Sequence, residues 1–214
     1  MKDLHVVACV PSGEMWHADF AKAFVMLCMH FQKTKLAERS QRLSILNVKG
    51  SMLSQNRETA AEKALEMEAT HLLWLDTDMV FPANTVQRLL AHGQPFVAAN
   101  CAMKELPPKA TAVGVDGERV VSLGARGLTR VQHVGLAVAL LEAELFRQTP
   151  QPWFPFMWVE ELHKYAGEDV SFCRKLLDRG VRLLVDNELS MEVFHVGSYR
   201  YGLGGVVNGD INPV

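Results

Sequence analysis

The sequence lacks the signals of a disulfide framework, a small metal-binding module and a membrane protein. Its four cysteines, Cys9, Cys28, Cys101 and Cys173, are far apart, and no Cys-x-x-Cys pair indicates a zinc knuckle or a dithiol redox motif. No apolar run reaches the roughly 18 residues of a membrane span, and the N-terminus has no long apolar core of the signal-peptide kind. We therefore expect a soluble, cytoplasmic protein whose cysteines are free thiols.

The chain also has little net charge. It carries 22 Lys and Arg against 24 Asp and Glu, for a formal net charge of −2, so no excess of basic residues indicates a nucleic-acid or anionic-membrane partner. With 49% hydrophobic and 21% charged residues it is not a disordered chain, which would have too little apolar side chain to offset the entropy of ordering. Its 214 residues fit one full-sized domain, residues 1–214.

Apolar runs and helical patterns alternate along the first hundred residues. The predicted buried strands are Leu4–Val10, Leu43–Val48, His71–Leu75 and Phe96–Ala99. The predicted helices are Ala18–Leu36, Asn56–Ala69 and Thr85–His92. This alternation predicts an α/β sheet with helices on both faces, because continuous apolar strands fit a sheet that is covered on both sides.

The second half of the chain is less regular. The predicted elements are a hairpin over Val113–Leu123, an apolar run over Val131–Leu141, a helix over Asp169–Arg179, and strands over Val181–Val185 and Met191–His195. An aromatic cluster of Trp153, Phe154, Phe156 and Trp158 is suited either to a core plug or to stacking on sugar rings. The Gly- and Asn-rich segment Tyr199–Val214 predicts a tail or lid.

The clearest chemical signal is the pair of carboxylates Asp76 and Asp78, directly after the predicted strand His71–Leu75. Ligands of open α/β sheets lie beyond the carboxyl ends of strands, and carboxylates suit hard cations such as Mg²⁺ or Mn²⁺. A polar turn is the plain alternative.

Two weaker signals follow in the second half of the chain. Glu168 and Asp169 lie where a helix begins, a position that also favours acids through the helix dipole. His195 is followed by Val196-Gly197 near the end of a predicted strand, where a packed histidine is the alternative to a metal ligand.

In this order, Asp-x-Asp, then Gly-Glu-Asp, then His-x-Gly, the motifs resemble those of the GT-A glycosyltransferases, in particular the small family-2-like enzymes of bacteria and phages. The resemblance implies a GT-A-like fold, with a central mixed, mostly parallel sheet flanked by helices. It also implies a nucleotide-sugar half over residues 1–100, an acceptor and catalytic half over residues 101–198, and a tail or lid over residues 199–214.

The resemblance implies a metal-dependent hexosyltransferase that moves a sugar from a UDP-sugar or another nucleoside-diphosphate sugar to a hydroxyl acceptor. Asp76, Asp78 and His195 would bind a divalent cation, Mn²⁺ or Mg²⁺. Asp169 would act as the base, with Glu168 beside it.

The same resemblance implies that Pro11, Ser12, Arg57, Asp76 and Arg200 contact the donor. Arg57 would reach the base or the diphosphate, and Arg200 would close over the diphosphate as part of a lid.

Two other functions remain open at this point. Asp76-Thr77-Asp78 also resembles the first motif of haloacid-dehalogenase-type phosphatases, in which Asp76 would be a nucleophile, although that motif normally opens the first strand of its core. A GT-A-shaped binding protein without turnover is the third interpretation. The sequence leaves open the sugar, the nucleotide base, the oligomeric state and the acceptor, which could be a glycan, a protein or a DNA base. Asp169 favours inversion of stereochemistry.

Overall fold

The structure is a computed structural model that describes residues 3–34, 40–160, 163–197 and 200–203, with the backbone alone for 200 and 201. Its helices are α1 (Ala18–Lys33), α2 (Leu53–Glu66), α3 (Thr85–Ala91), α4 (Ala143–Gln148), α5 (Glu168–Asp178) and α6 (Asn187–Ser190). Its strands are β1 (Leu4–Ser12), β2 (Gln41–Lys49), β3 (His71–Leu75), β4 (Met79–Val80), β5 (Phe96–Ala98), β6 (Val113–Gly114), β7 (Leu128–His133), β8 (Val138–Glu142), β9 (Met157–Val159), β10 (Lys164–Ala166), β11 (Leu183–Asp186), β12 (Phe194–Val196) and β13 (Arg200–Gly202).

A central sheet of eight strands organises the described part of the chain, in the order β2-β1-β3-β8-β5-β11-β7-β6. β8 is antiparallel to both of its neighbours, and β7 is antiparallel to β11 and β6. The remaining six strands therefore share one direction, and the sheet is mixed, as predicted, with three parallel and four antiparallel pairings. Beside it lie the hairpin β9-β10 and a small antiparallel sheet in the order β13-β12-β4.

The inner strands β1, β3 and β8 of the central sheet are apolar at successive positions and are buried on both faces. On one face Val7, Cys9, Leu72 and Trp74 pack with the alanines of α2 and with aromatic residues of α4 and α5. On the other face the alternate residues Val6, Ala8, Leu73 and Leu75 pack against α1 and α3. This two-sided burial explains the continuous apolar runs of β1 and β3.

Most predicted elements are present with shifted ends, and three differ from the prediction by more than this. The apolar run Val131–Leu141 is divided into β7 and β8 by a loop that contains Gly135. The predicted hairpin Val113–Leu123 keeps its turn, but its second arm makes only an isolated bridge, and β6 pairs with β7. The predicted strand Met191–His195 begins later, at Phe194, after the short helix α6.

Two further observations bear on the expectations from composition. Within the described residues the cysteines are free, three of them buried and Cys28 half-buried. None of the described helices combines the length and the apolar character that a membrane span requires.

Candidate active site

The two predicted carboxylates follow the carboxyl end of β3, and their side chains contact different partners. Asp76 accepts hydrogen bonds from Arg57 Nη2 on both oxygens, at 2.8 and 3.1 Å. Asp78 Oδ2 lies 2.5 Å from Lys104 Nζ and 3.3 Å from His195 Nε2. Two residues apart in the chain, the carboxylates therefore have separate cationic partners.

Arg57 lies beneath the site, with only 2% of its side chain exposed. Small alanines on the same face of α2, Ala60, Ala61 and Ala64, let this helix approach the sheet closely, so Arg57 reaches the end of β3 from below. Its guanidinium also lies 5.5 Å from the centre of the Trp74 ring, and its Nε donates to Glu168 Oε1 at 3.3 Å.

Arg57 thus joins Asp76 to Glu168 and stays charged. Burial alone would lower the pKa of Arg57, but the charges of Asp76, Glu168 and Asp169 outweigh it and raise the pKa. The prediction that Arg57 contacts the donor remains a prediction, and the structure shows Arg57 engaged with protein carboxylates.

The Asp76 carboxyl is under opposing influences. Its burial raises the pKa, the Arg57 guanidinium lowers it, and the negative charge of Asp78 raises it again, with a net rise. For Asp78, burial also acts upward, but the hydrogen bonds from His195 and Lys104 prevail and lower its pKa from 3.8 to about 2. Asp78 is therefore ionised over the whole physiological range.

His195 is held beside Asp78 by backbone pairing. β12 pairs with β4 so that His195 lies opposite Met79, and the Val196 N–H donates to the Asp78 carbonyl at 2.7 Å. His195 Nδ1 is 3.0 Å from the Ala102 carbonyl oxygen, which can only accept a hydrogen bond. Nδ1 therefore carries a proton, and Nε2 faces the Asp78 carboxylate.

This arrangement fits a divalent cation that brings further ligands with it. The hydrogen bond from Nε2 to Asp78 requires a proton on Nε2, and a metal that replaced this proton would bind an imidazole held by its Nδ1–H on a carbonyl, an outer contact typical of metal-ligating histidines. No group of three His, Cys, Asp or Glu side chains that could hold a metal occurs among the described residues. Asp78 and His195 would therefore supply two ligands, and a diphosphate could supply others.

A cleft of about 320 Å³ lies over the ends of β1 and β3, and we call it the strand-end cleft. Its lining residues are Pro11, Ser12, Gly13, Gly50, Ser51, Leu53, Asn56, Asp76, Thr77 and Asp78. Pro11 and Ser12, predicted in a loop, are the last residues of β1. Asn56 Nδ2 bonds the carbonyls of Ser12 and Gly50, at 3.3 and 2.9 Å, and so ties the cleft's walls together.

Asp169 occupies the first turn of α5, next to Glu168. Burial raises its pKa, and the Val170 N–H and the Arg57 charge act in the opposite direction without cancelling the rise. The negative charge of Asp76 raises this pKa further. Asp169 is thereby a carboxyl with a raised pKa close to the Asp76–Arg57–Glu168 chain.

A second concavity lies between the β9-β10 hairpin and α5. This hairpin groove has a volume of about 580 Å³. Its lining residues are Gln132, His133, Val159, Lys164, Tyr165, Ala166, Gly167, Val170, Arg174, Leu177 and Asp178. Gly167 and Val170 are the groove residues nearest in sequence to Asp169.

The aromatic cluster is divided between the core and the surface. Trp153 and Phe154 are 5% and 2% exposed and pack with Phe146, so they are core residues. Phe156 and Trp158 are 54% and 49% exposed, and Trp158 makes an edge-to-face contact with Tyr165 at 5.2 Å. The core interpretation is therefore confirmed for Trp153 and Phe154, and stacking on sugar rings stays a prediction for Phe156 and Trp158.

Arg200 begins β13, and its backbone pairs with Val196 of β12. The first part of the predicted tail is therefore a strand beside His195. The Arg200 side chain and residues 204–214, on which the lid prediction depends, lie outside the described residues.

Lys104 is the site residue that sequence reasoning missed. It lies in a loop after β5, has no motif around it, and comes 26 residues after Asp78 in the chain. Asn56, predicted only as the first residue of a helix, links two walls of the strand-end cleft. Neither residue belongs to a local pattern that could have identified it.

Comparison with known proteins supports the fold and leaves the family undefined. No family model matches the sequence, and no curated protein matches it. Among solved structures, A197 from STIV superposes with a TM-score of 0.63 at 17% identity, covering 99% of this chain and 97% of A197. The predicted fold class is thereby confirmed: the chain has an α/β fold with a mixed sheet flanked by helices, shared with A197. At this identity the likeness concerns the fold alone.

Proposed function

We propose that the protein is a metal-dependent glycosyltransferase that moves a sugar from a nucleoside-diphosphate sugar to a hydroxyl acceptor. The observation that carries the proposal is the buried Asp76–Arg57–Glu168 chain: Asp76 lines the strand-end cleft, and Gly167 and Val170, the sequence neighbours of Glu168 and Asp169, line the hairpin groove. A transfer between two bound molecules needs two adjoining sites with charged groups between them, and this arrangement supports that requirement.

The strand-end cleft is the proposed donor site. It opens at the carboxyl ends of β1 and β3, the position where nucleotides bind in open α/β sheets. Pro11 and Ser12 would contact the nucleoside, and Asp78 and His195 would hold a divalent cation against the diphosphate. When bound, that cation would stabilise the negative charge of the leaving diphosphate as a Lewis acid.

Asp169 is the proposed general base. Its carboxylate would take the proton of the acceptor hydroxyl while the hydroxyl oxygen forms a bond to the sugar's anomeric carbon and the bond from that carbon to the diphosphate breaks. The raised pKa supports this role, because a base is most effective when its pKa approaches the working pH. Glu168, engaged with Arg57, would position this part of α5.

The hairpin groove is the proposed acceptor site. The exposed rings of Trp158 and Tyr165 stand on the hairpin that forms one wall of the groove, and aromatic faces of this kind pack well against the apolar faces of sugars. This favours a carbohydrate among the acceptors that the sequence left open.

The phosphatase interpretation is less well supported. A nucleophilic Asp76 would need a free carboxylate oxygen, and both of its oxygens accept from Arg57. A binding protein without turnover differs from the proposed enzyme only in activity.

The proposed function is tested by thermal stabilisation with a panel of nucleotide sugars and Mn²⁺, followed by assay of sugar-nucleotide turnover. We expect Mn²⁺-dependent stabilisation by at least one donor, lost in Asp78→Asn and retained in Asp116→Asn, a matched change in an exposed turn. Turnover would separate the enzyme from a binding protein. Stabilisation of the Asp78→Asn variant equal to that of the wild type would contradict the metal assignment.

A further inference from the structure

The loop that carries Lys104 is closed at its base and attached to the candidate metal site. Ala102 and Ala110 form a bridge, and the Met103 N–H donates to the Lys109 carbonyl at 2.7 Å. The Ala102 carbonyl is the group that His195 Nδ1 contacts. The backbone at the base of this loop therefore has a fixed position relative to His195 and Asp78.

The Lys104 side chain extends from this loop to a single oxygen, Asp78 Oδ2, which His195 Nε2 also faces. The Lys104 side chain is 37% exposed, so the ammonium can leave Asp78 without opening the core. A lysine side chain is a flexible stem with a compact charge, and it can change partners by rotation about its own bonds.

A divalent cation on Asp78 would compete with this ammonium. Two positive charges within bonding distance of one carboxylate oxygen repel each other, so a cation that binds Asp78 displaces Lys104. The displaced ammonium then needs another anion nearby, and a diphosphate on the same cation would provide it. Lysine binds phosphate as a point charge and does not depend on a fixed geometry.

We propose that Lys104 is an exchangeable counter-ion of Asp78 that transfers to the donor's diphosphate when the metal–nucleotide complex binds. The inference rests on the proposed function and deepens it by assigning a diphosphate-binding residue. Lys104 weakens binding of the metal alone, because its ammonium competes with the metal for Asp78. It makes binding of the metal and the nucleotide cooperative, because the same ammonium then contacts the diphosphate.

The test compares Lys104→Met with the matched control Lys109→Met. Lys109 lies in the same loop and pairs with Glu105, away from Asp78, so its loss removes one loop charge without touching the site. Mn²⁺ binding is measured by titration calorimetry without nucleotide. The affinities of UDP, GDP, ADP, CDP and dTDP are then measured at saturating Mn²⁺.

We expect Lys104→Met to bind Mn²⁺ alone about fivefold more tightly than the wild type. It should bind the preferred nucleoside diphosphate about tenfold more weakly at saturating Mn²⁺, since a charge-assisted hydrogen bond is lost. Lys109→Met should match the wild type in both measurements, and both variants should unfold at similar temperatures.

Equal Mn²⁺ affinity in the wild type and Lys104→Met, or no detectable Mn²⁺ binding by Lys104→Met, overturns the counter-ion role. Equal diphosphate affinity overturns the transfer to diphosphate. If the wild type binds none of the nucleotides, the proposed function fails, while the measurement with Mn²⁺ alone still decides whether Lys104 opposes a cation at Asp78.

Discussion

Arg57 and Glu168 are 111 positions apart in the chain, and their side chains meet in the interior with Nε 3.3 Å from Oε1. Because Arg57 also bonds Asp76, this contact connects the end of β3 to the start of α5. The two halves of the proposed enzyme are thus joined by a buried cation between carboxylates, directly under the proposed reaction centre.

Removing this cation should destabilise the protein strongly. Arg57→Met should lower the free energy of unfolding by about 3 to 5 kcal/mol, because it leaves Glu168 and Asp76 without their shared partner. Glu168→Gln should cost about 1 to 3 kcal/mol, because the amide retains an acceptor for Arg57. Urea denaturation measures the free energy of unfolding of both variants.

Arg147→Met is the control. The exposed pair of Arg147 with Glu144 should be worth less than about 1 kcal/mol, and an equal loss of stability in Arg57→Met and Arg147→Met would contradict the role of Arg57.

The second prediction concerns the pH dependence of the reaction. Asp169 must be ionised to act as a base, so the rate should fall as the pH drops through its raised pKa, which lies above the ordinary 3.8. Asp169→Asn should remove this acid limb and slow transfer at least about a hundredfold, with donor and metal binding unchanged. The pH profile of kcat/KM measures the effect.

The same variant has a defined consequence for stability. A carboxyl whose folded pKa lies above its unfolded value contributes stability below the unfolded pKa and loses it as the pH rises through the folded pKa. Asp169→Asn should therefore not be destabilised at neutral pH, and its amide oxygen can still accept from the Val170 N–H.

If Glu168→Gln is the inactive variant and Asp169→Asn is active, the two roles are exchanged. Wild-type rates in both would remove Asp169 and Glu168 as the base.

A third prediction uses the two glycines that lie against the Asp169 carboxyl. A Cβ at Gly167 would be 2.8 Å from Asp169 Oδ1, closer than real Cβ contacts, whereas a Cβ at Gly135 would be 3.6 Å from Oδ2, an ordinary contact. Gly167→Ala should therefore fold but displace the carboxyl and lower kcat about tenfold or more. Gly135→Ala should retain most activity. Equal kcat in both variants would show that the Asp169 position is not critical.

The fourth prediction separates the two tryptophans of the aromatic cluster. Trp153 is buried and its indole N–H bonds the carbonyls of Phe146 and Thr149, so Trp153→Ala should cost about 3 to 5 kcal/mol of stability. Trp158→Ala should change stability by less than about 0.5 kcal/mol, because half of the ring is exposed. It should instead raise KM for a glycan acceptor, with KM for the donor unchanged. An unchanged KM for every acceptor tested would remove Trp158 from the acceptor site.

The sequence by itself determined the elements whose signals are local. β1, β3 and α3 were predicted within a few residues of their observed ends, because a continuous apolar run or a helical period depends only on neighbouring residues. The position of Asp76 and Asp78 at a strand end followed from the same pattern. The fold class followed from the alternation of such elements.

Only the tertiary structure decided how distant side chains meet. An apolar run gives no direction for its strand, so the antiparallel β8 between β3 and β5 could not be read from it. The pairing of Arg57 with Glu168 and of Lys104 with Asp78 depends on the packing of α2, α5 and a loop against the sheet. These long-range contacts form when helices and loops from distant parts of the chain pack on the two faces of the sheet. No short stretch of sequence shows which distant residues will meet there.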